Sequence, residues 1–435
     1  MLQTLKNAWK IPELRKKLIF TLFILLIYRL GSVIPVPFID VTTLANYFDS
    51  VLSSTILGLY NAMSGSAFSR ATVLALGIQP YINASIIIQL LTVAIPALER
   101  LAKDGGEDGK KKIERITRYT TVGLGLLMGW AYYMMLRNYS SQISIITTEG
   151  FLPALVIILA FTAGSALVMW LGEQITEFGI GNGISMILFA GILARVPTAI
   201  STGRYFVAQK GSIGYLWLAL VVLGILAMIV LIVHVNGAER RIPVQYAKRQ
   251  VGRKMYGGQA STLPMKVNMS GVLPIIFAQS IASLPATVWA FIGTPDKETS
   301  PVAYSIYSAI DTKSVLYLIA YFLMIIGFSY FYATIQFNPV EISNNLKKNG
   351  GFIPGFRPGQ PTSQFIAKVL NKVTLFGAIY LGIVAIAPLI VGKALGNYSL
   401  AIGGTSVIIV VGVALETVQA LESQMLMRQY KGFLE

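Results

Sequence analysis

The chain has 435 residues, of which 54% are apolar and only 12% charged, with a mean hydropathy of +0.65. A soluble domain carries about 25% charged residues, so this composition excludes an ordinary soluble fold and points to lipid. Cysteine is absent and His234 is the single histidine, which excludes disulfides, thiolate catalysis and Cys/His metal clusters; the net charge of +16 becomes a question of where the basic residues lie.

A basic stretch of 17 residues precedes the first apolar run, and no small-residue cleavage site follows it, so no cleavable signal peptide is expected. Ten runs then approach the ~20 apolar residues that cross a ~30 Å hydrocarbon core. They fall at 18–36, 72–95, 118–136, 152–171, 183–200, 214–236, 270–292, 314–337, 372–391 and 400–420. No interval between them is large enough for a soluble domain. The pattern predicts one all-α, polytopic domain with ten transmembrane helices. The second run is interrupted by Gln79, Pro80, Asn83, Ser85 and Gln89, and the short fifth carries Arg195 and Pro197.

Between the first two runs, TILGLYNAMSGSAFSR at 55–70 is apolar but too short to span, and Gly58, Gly65 and Ser66 break it. Two readings stand. It is an interfacial helix outside the membrane, or a short helix folded back into a cavity, where irregular backbone finds protein or water around it.

With the N-terminus in the cytoplasm, the inside segments 1–17, 96–118, 237–269, 338–372 and the tail hold 26 of the 35 Lys and Arg residues, although the inside loop at 172–182 holds none. Basic residues favour the cytoplasmic side, so this partition predicts an even helix count with both termini inside.

Ionisable groups within spans mark transport or proton pathways by default. Here they are few: Arg29, His234 and Glu416 near span ends, and Glu173 and Glu177 at or beyond the boundary of the fourth. None has an evident charged partner at span centre, and we read them as interfacial or packed end-of-helix groups. No HExxH, GxSxG or Walker-type loop is present, and GIGNG at 179–183 lacks a preceding strand, which makes it a tight turn between spans. Catalytic and metal roles are therefore not assigned, and no cofactor is implied. A secondary transporter of a small solute, the alternative reading, would need convergent polar groups at the midplane; only scattered amides are available.

Two long inside loops carry more information. The segment 237–269 interleaves basic residues with aromatic and β-branched ones, and in 338–372 Arg357 stands between two Pro-Gly pairs, which presents one guanidinium at a turn tip to carboxylates or phosphates. Ile78 and Ile82, and likewise Leu188 and Ile192, are four residues apart and share a helix face; spacing alone makes them packing or lipid-facing residues.

Six segments carry a resemblance: NAMSGSAFSRATVLALGI (61–78), PYINASIIIQLL (80–91), GIGNGIS (179–185), YAKRQVGRKMYGGQASTLPMKVNMSGVLP (246–274), the loop around Arg357, and IGGTSVIIVV (402–411). In this order, from about residue 10 to 430, the chain resembles the SecY family of protein-conducting channels. The resemblance implies two inverted pseudo-symmetric five-helix halves, 1–200 and 214–435, hinged by a loop at 201–213 around a central pore. It places a pore ring at Ile78, Ile82, Leu188, Ile192, Ile276 and Ile409, with Leu188 standing where isoleucine is common. A plug helix at about 57–68 would seal the outer funnel through Leu57, Tyr60, Asn61, Met63, Ser64, Gly65 and Phe68. Asn83, Gln89, Gln279, Ser280 and Leu284 would lie near a lateral gate between spans two and three and spans seven and eight. Arg253, Lys254 and Arg357 would dock the ribosome and the motor ATPase SecA. SecE and SecG would complete the complex in a bacterial plasma membrane, where signal peptides, unfolded preproteins and bilayer lipid meet the channel. Such a channel is not an enzyme; the driving energy comes from its partners.

Overall fold

The computed structural model describes residues 2–52, 56–103, 105–140, 144–246, 249–251, 254–256, 260–269, 271–292, 300–311, 314–395 and 398–431. The first part of the chain runs α1 (Leu2–Lys10), α2 (Pro12–Gly31), α3 (Val41–Tyr47), a π-helical turn (Phe48–Leu52), α4 (Ile56–Met63), α5 (Gln79–Ala94), α6 (Pro96–Lys103), α7 (Gly106–Ser140), α8 (Phe151–Phe178), α9 (Gly183–Leu193) and α10 (Val196–Asn236). Strands β1 (Glu239–Tyr246), β2 (Arg249–Val251), β3 (Lys254–Tyr256) and β4 (Ala260–Lys266) follow. The remainder is α11 (Leu273–Ile292), α12 (Pro301–Ile310), α13 (Val315–Gln336), α14 (Pro339–Lys348), β5 (Gly351–Phe352), α15 (Gln360–Leu395) and α16 (Tyr398–Lys431).

Each of the ten predicted spans falls on a helix. Among the described residues, five helices are long and apolar enough to cross a membrane alone, and six if α5 and α6, bent by 105° at Ile95, count as one. The others fall short because they are polar at one end, as α2 is with Arg15, Lys16 and Lys17, or short and packed inside, as α9 and α11 are. Glycine lets the inner helices close up: a Cβ on Gly183 of α9 would strike the carbonyl of Gly172 on α8, and one on Gly164 would strike that of Val73.

Four sequence expectations change. The second span begins as helix only at Gln79, residues 72–78 forming turns; Pro80 suits the first turn of a helix, where its missing N–H is no loss. The fifth span breaks at Ala194–Arg195, and Pro197 opens α10. Residues 201–213, expected as a loop, are helical within α10, because no proline occurs between Pro197 and Pro243 to stop the helix. The all-α expectation holds for the membrane part, but within 237–269 the described residues form the strands β1 to β4. β1 pairs antiparallel with β4, from Glu239 opposite Lys266 to Gln245 opposite Ala260, and also with β5, which places Gln245 opposite Phe352. The two long basic loops are thus one sheet-linked unit. Ile242 and Val244, two apart on one face of β1, join Met265, Ile353, Ile366 and Leu370 in its core.

The main core gathers residues from α2, α4, α5, α7, α8, α9, α11, α13, α15 and α16. A small third core of Ala8, Leu14, Ile180 and Leu421 ties the N-terminal helices to the 179–183 turn and to α16. That turn is as expected: Gly181 has φ 75°, and the Asn182 side chain accepts from the N–H groups of Ile184 and Ser185 to start α9.

Candidate functional site

The site is built around α4, a helix of eight residues buried inside the bundle. It packs against α9, α11 and α16. These helices carry Leu188 and Ile192, Ile276, and Ile409; Ile82 sits on α5, and Ile78 is the residue that precedes it. All six expected ring residues belong to the main core, and none is more than 8% exposed. Ile78 also reaches toward Gly172 on α8.

The helix expected at 57–68 ends at Met63 and continues as turns, because Ser64, Gly65 and Ser66 break it. All seven expected plug residues are buried. The turns are fastened by side chains. Asn61 Oδ1 accepts from the Ser69 N–H at 3.0 Å, and Ser64 Oγ from the Phe68 N–H at 3.1 Å. Gln79 Nε2 donates to Met63 Sδ at 3.0 Å. Tyr60 and Thr287 of α11 pair through their hydroxyls at 3.4 Å. Tyr132 of α7 donates to the Phe68 carbonyl at 2.6 Å, and the Arg29 guanidinium of α2 donates to the Gly65 carbonyl at 3.0 Å.

Gly65 is required twice over. Its φ is 66°, and a Cβ there would come within 2.9 Å of the Gly191 carbonyl oxygen. Ser66 at φ 70° and Ala71 at φ 42° have no such freedom, and each holds its left-handed backbone at a cost of about 1 kcal/mol. The segment is therefore strained as well as fastened.

A seam runs beside this site. α11 packs on both α5 and α7. Across it, Tyr332 of α13 donates to Gln89 Oε1 of α5 at 3.3 Å. Of the expected gate residues, Gln279 and Ser280 are buried in α11, and Asn83 and Gln89 are half-buried in α5. Leu284 is 45% exposed and faces outward. Pro285 interrupts α11 and leaves the Ile281 carbonyl without its helical donor.

The isolated charges also find places. Glu416 accepts from the Val272 N–H and lies against Gly271, capping the entry to α11. Glu173 of α8 pairs with Arg118 of α7 at 2.8 Å, a partner not evident from sequence. On the surface loops, Arg357 is exposed at the tip of a turn whose Gly355 and Gly359 both take positive φ. Phe356 stacks on Phe365 at 4.2 Å behind it. Arg253 lies outside the described residues; Lys254 opens β3.

A family model described as SecY matches residues 72–418. A protein translocase subunit SecY of Streptomyces scabiei is 44% identical over 444 residues, with both chains covered in full. The chain belongs to the SecY family. In fold it is similar to a solved protein-conducting channel, with a TM-score of 0.63 at 18% identity over 94% of this chain and 92% of the other. Sec61 from a canine ribosome–channel complex of the endoplasmic reticulum gives 0.58 at 17% identity, with the same coverage.

Sequence reasoning missed four members of this site: Arg29 as a contact of the turn after α4, Tyr132, Gly191 and Tyr332. Arg29 was visible as a charge near a span end, but its acceptor is a backbone carbonyl, which leaves no sequence signal. Tyr132, Gly191 and Tyr332 look like ordinary span residues until the helices are packed.

Proposed function

We propose that this chain forms the protein-conducting channel of a plasma-membrane translocase, passing unfolded preproteins through a neck between its two halves and releasing apolar segments sideways into lipid. The observation that carries this reading is α4: a short buried helix held against the helices that supply Leu188, Ile192, Ile276 and Ile409. With Ile78 and Ile82 these side chains form the ring, and residues 57–68 the plug above it. A collar of branched aliphatics in a narrow neck sheds water and so blocks ions, yet offers a sliding chain no binding site. The halves are 1–200 and 214–435, hinged within 201–213.

The seam of α11 and α13 against α5 and α7 is the lateral gate, lined near Asn83, Gln89, Gln279, Ser280 and Leu284. Both termini and the sheet-linked loops 237–269 and 338–372 face the cytoplasm, in keeping with the distribution of basic residues. Arg253, Lys254 and Arg357 dock the ribosome and SecA, and SecE with SecG completes the complex.

The absence of cysteine allows a direct test. Single cysteines are introduced by Ile82→Cys, Ile409→Cys and, as a lipid-facing control, Leu223→Cys, where Leu223 is 66% exposed. A preprotein carrying one mid-chain cysteine is stalled in the reconstituted complex and oxidised. Crosslinks at residues 82 and 409 and none at 223 are expected. Equal labelling at all three positions, or at none, would remove the neck from this location.

A further inference from the structure

The segment that follows α4 is gripped at two points by side chains of the first half, and these contacts are distinct from the apolar packing that a plug needs to fill a funnel. At Gly65, Arg29 donates from the last turn of α2 to the carbonyl at 3.0 Å. Arg29 also donates to Ser32 Oγ at 3.3 Å, and no acidic side chain pairs with it among the described residues. Gly65 also rests on Gly191: a Cβ on Gly65 would meet both the Gly191 carbonyl oxygen, at 2.9 Å, and the Arg29 guanidinium, at 3.1 Å, and a Cβ on Gly191 would strike the carbonyl of Met63. The turn is thus held at Gly65 by a guanidinium and by a bare stretch of α9 backbone.

At Phe68, Tyr132 is fully buried and donates at 2.6 Å to the carbonyl, while its ring lies 4.5 Å from the Phe68 ring. Phe48 and Tyr60 contribute two further ring contacts, at 6.0 and 6.2 Å. Backbone carbonyls are the acceptors at both points, so the grip reads the conformation of the turn rather than its side chains. A turn that straightened would lose both bonds together.

We propose that Arg29 and Tyr132 are a latch that sets the threshold for channel opening, holding the strained turn 64–71 to the first half until an incoming signal segment displaces it. The latch rests on the reading of 57–68 as the plug. Tyr60–Thr287 is the bond among these that ties the same segment to α11 across the seam. Parting of the seam breaks the bonds of Tyr60 to α11, at Thr287 and Ser283, and leaves the two first-half bonds intact. The plug therefore stays with α2 and α7 at first separation, and its release is a second step governed by Arg29 and Tyr132. The strain at Ser66 and Ala71 favours that release once the bonds are lost.

The test uses the full chain in its channel complex, reconstituted in planar bilayers, with Arg29→Met, Arg29→Lys, Tyr132→Phe and a variant in which 57–68 is replaced by a short Gly-Ser linker. Resting open probability, translocation of a preprotein with a shortened apolar signal core, and thermal unfolding are measured together. Removing a charged donor is expected to raise the resting open probability about tenfold, and removing a neutral hydroxyl about fivefold. Both variants should pass the poor signal while unfolding within a few degrees of the parent, and Arg29→Lys should recover part of the closure. In the plug-replaced background, Arg29→Met should add nothing. A plug-replaced channel that leaks while Arg29→Met and Tyr132→Phe stay as tight as the parent would overturn the latch and leave the plug reading standing. A plug-replaced channel that stays shut would remove both. Extra conductance from Arg29→Met without the plug would show that Arg29 acts elsewhere.

Discussion

At the residue scale, the ring positions pose the sharpest physical choice. Ile82 is 3% exposed and Ile409 2%, and a buried isoleucine in a packed interior has the same exposure as one that fills a closed neck. The two cases part when a polar group is introduced. In a packed interior, Ile82→Asn or Ile409→Asn strands an amide without partners and costs on the order of 1–3 kcal/mol of stability. In a neck between two water-filled funnels, the amide meets water, so the protein accumulates normally and its thermal unfolding is little changed. The barrier to ions, which depends on dewetting, falls instead. We expect the second outcome: raised single-channel resting conductance at near-parental thermal stability. Lower stability with no added conductance would return these residues to ordinary packing. Their shared helix face was visible in the spacing of Ile78 with Ile82 and Leu188 with Ile192, but spacing cannot say what the face meets. That information lies in α4, a short helix whose neighbours come from α9, α11 and α16.

At the element scale, Tyr332–Gln89 is a polar bond that crosses the seam between α13 and α5 directly. A neutral hydrogen bond is worth about 0.5–1.5 kcal/mol net, enough to shift a two-state seam by up to about tenfold. Tyr332→Phe and Gln89→Leu should each widen the range of signal segments that crosslink to α5 or α11. The double variant should do no more than either alone, since both remove the same bond. Additive effects would mean that the residues act separately. How far such elements were legible follows from the range of their determinants. The ten helices were legible because each is a local apolar run, and the 179–183 turn because Gly181 and Asn182 dictate it locally. The start of α5 was not, since residues 72–78 form turns whose Val73 carbonyl meets Gly164 far along the chain. The sheet was missed because β1 finds one partner in β5, about a hundred residues on, and much of the core that Ile242 and Val244 join, Ile353, Ile366 and Leu370, lies as far away. The helical backbone of 201–213 was missed for another reason: the family resemblance implied a hinge loop, while the absence of proline permitted a helix.

At the scale of the whole molecule, the main asymmetry is electrostatic, with 26 of the 35 Lys and Arg residues in the segments 1–17, 96–118, 237–269, 338–372 and the tail, and the two longest of these loops joined by β1, β4 and β5. The joining changes what one loop can do alone. A flexible loop presents a charge in many directions, whereas Arg357 projects from a turn fixed behind by the Phe356–Phe365 stack and by Thr362 Oγ1, which donates to the Arg357 carbonyl at 2.8 Å. The backbone at that point is anchored, yet the side chain is exposed. Arg357→Glu should therefore leave thermal unfolding unchanged while cutting SecA-driven translocation severely, because a reversed charge at a docking tip repels the acidic groups it would otherwise bind. Arg357→Lys keeps the charge but not the planar fork, so it should be partly defective. The sheet supplies an independent handle. Gly351 pairs with Tyr246, and a Cβ there would press on the Tyr246 ring at 2.9 Å, so Gly351→Val should loosen β5 from β1 and mimic Arg357→Glu with the arginine still present. Translocation and SecA binding by reconstituted complexes carrying each variant measure this. If Arg357→Glu bound SecA and translocated as the parent does, the docking role would be lost; if only Gly351→Val were silent, Arg357 would act without the support of the sheet.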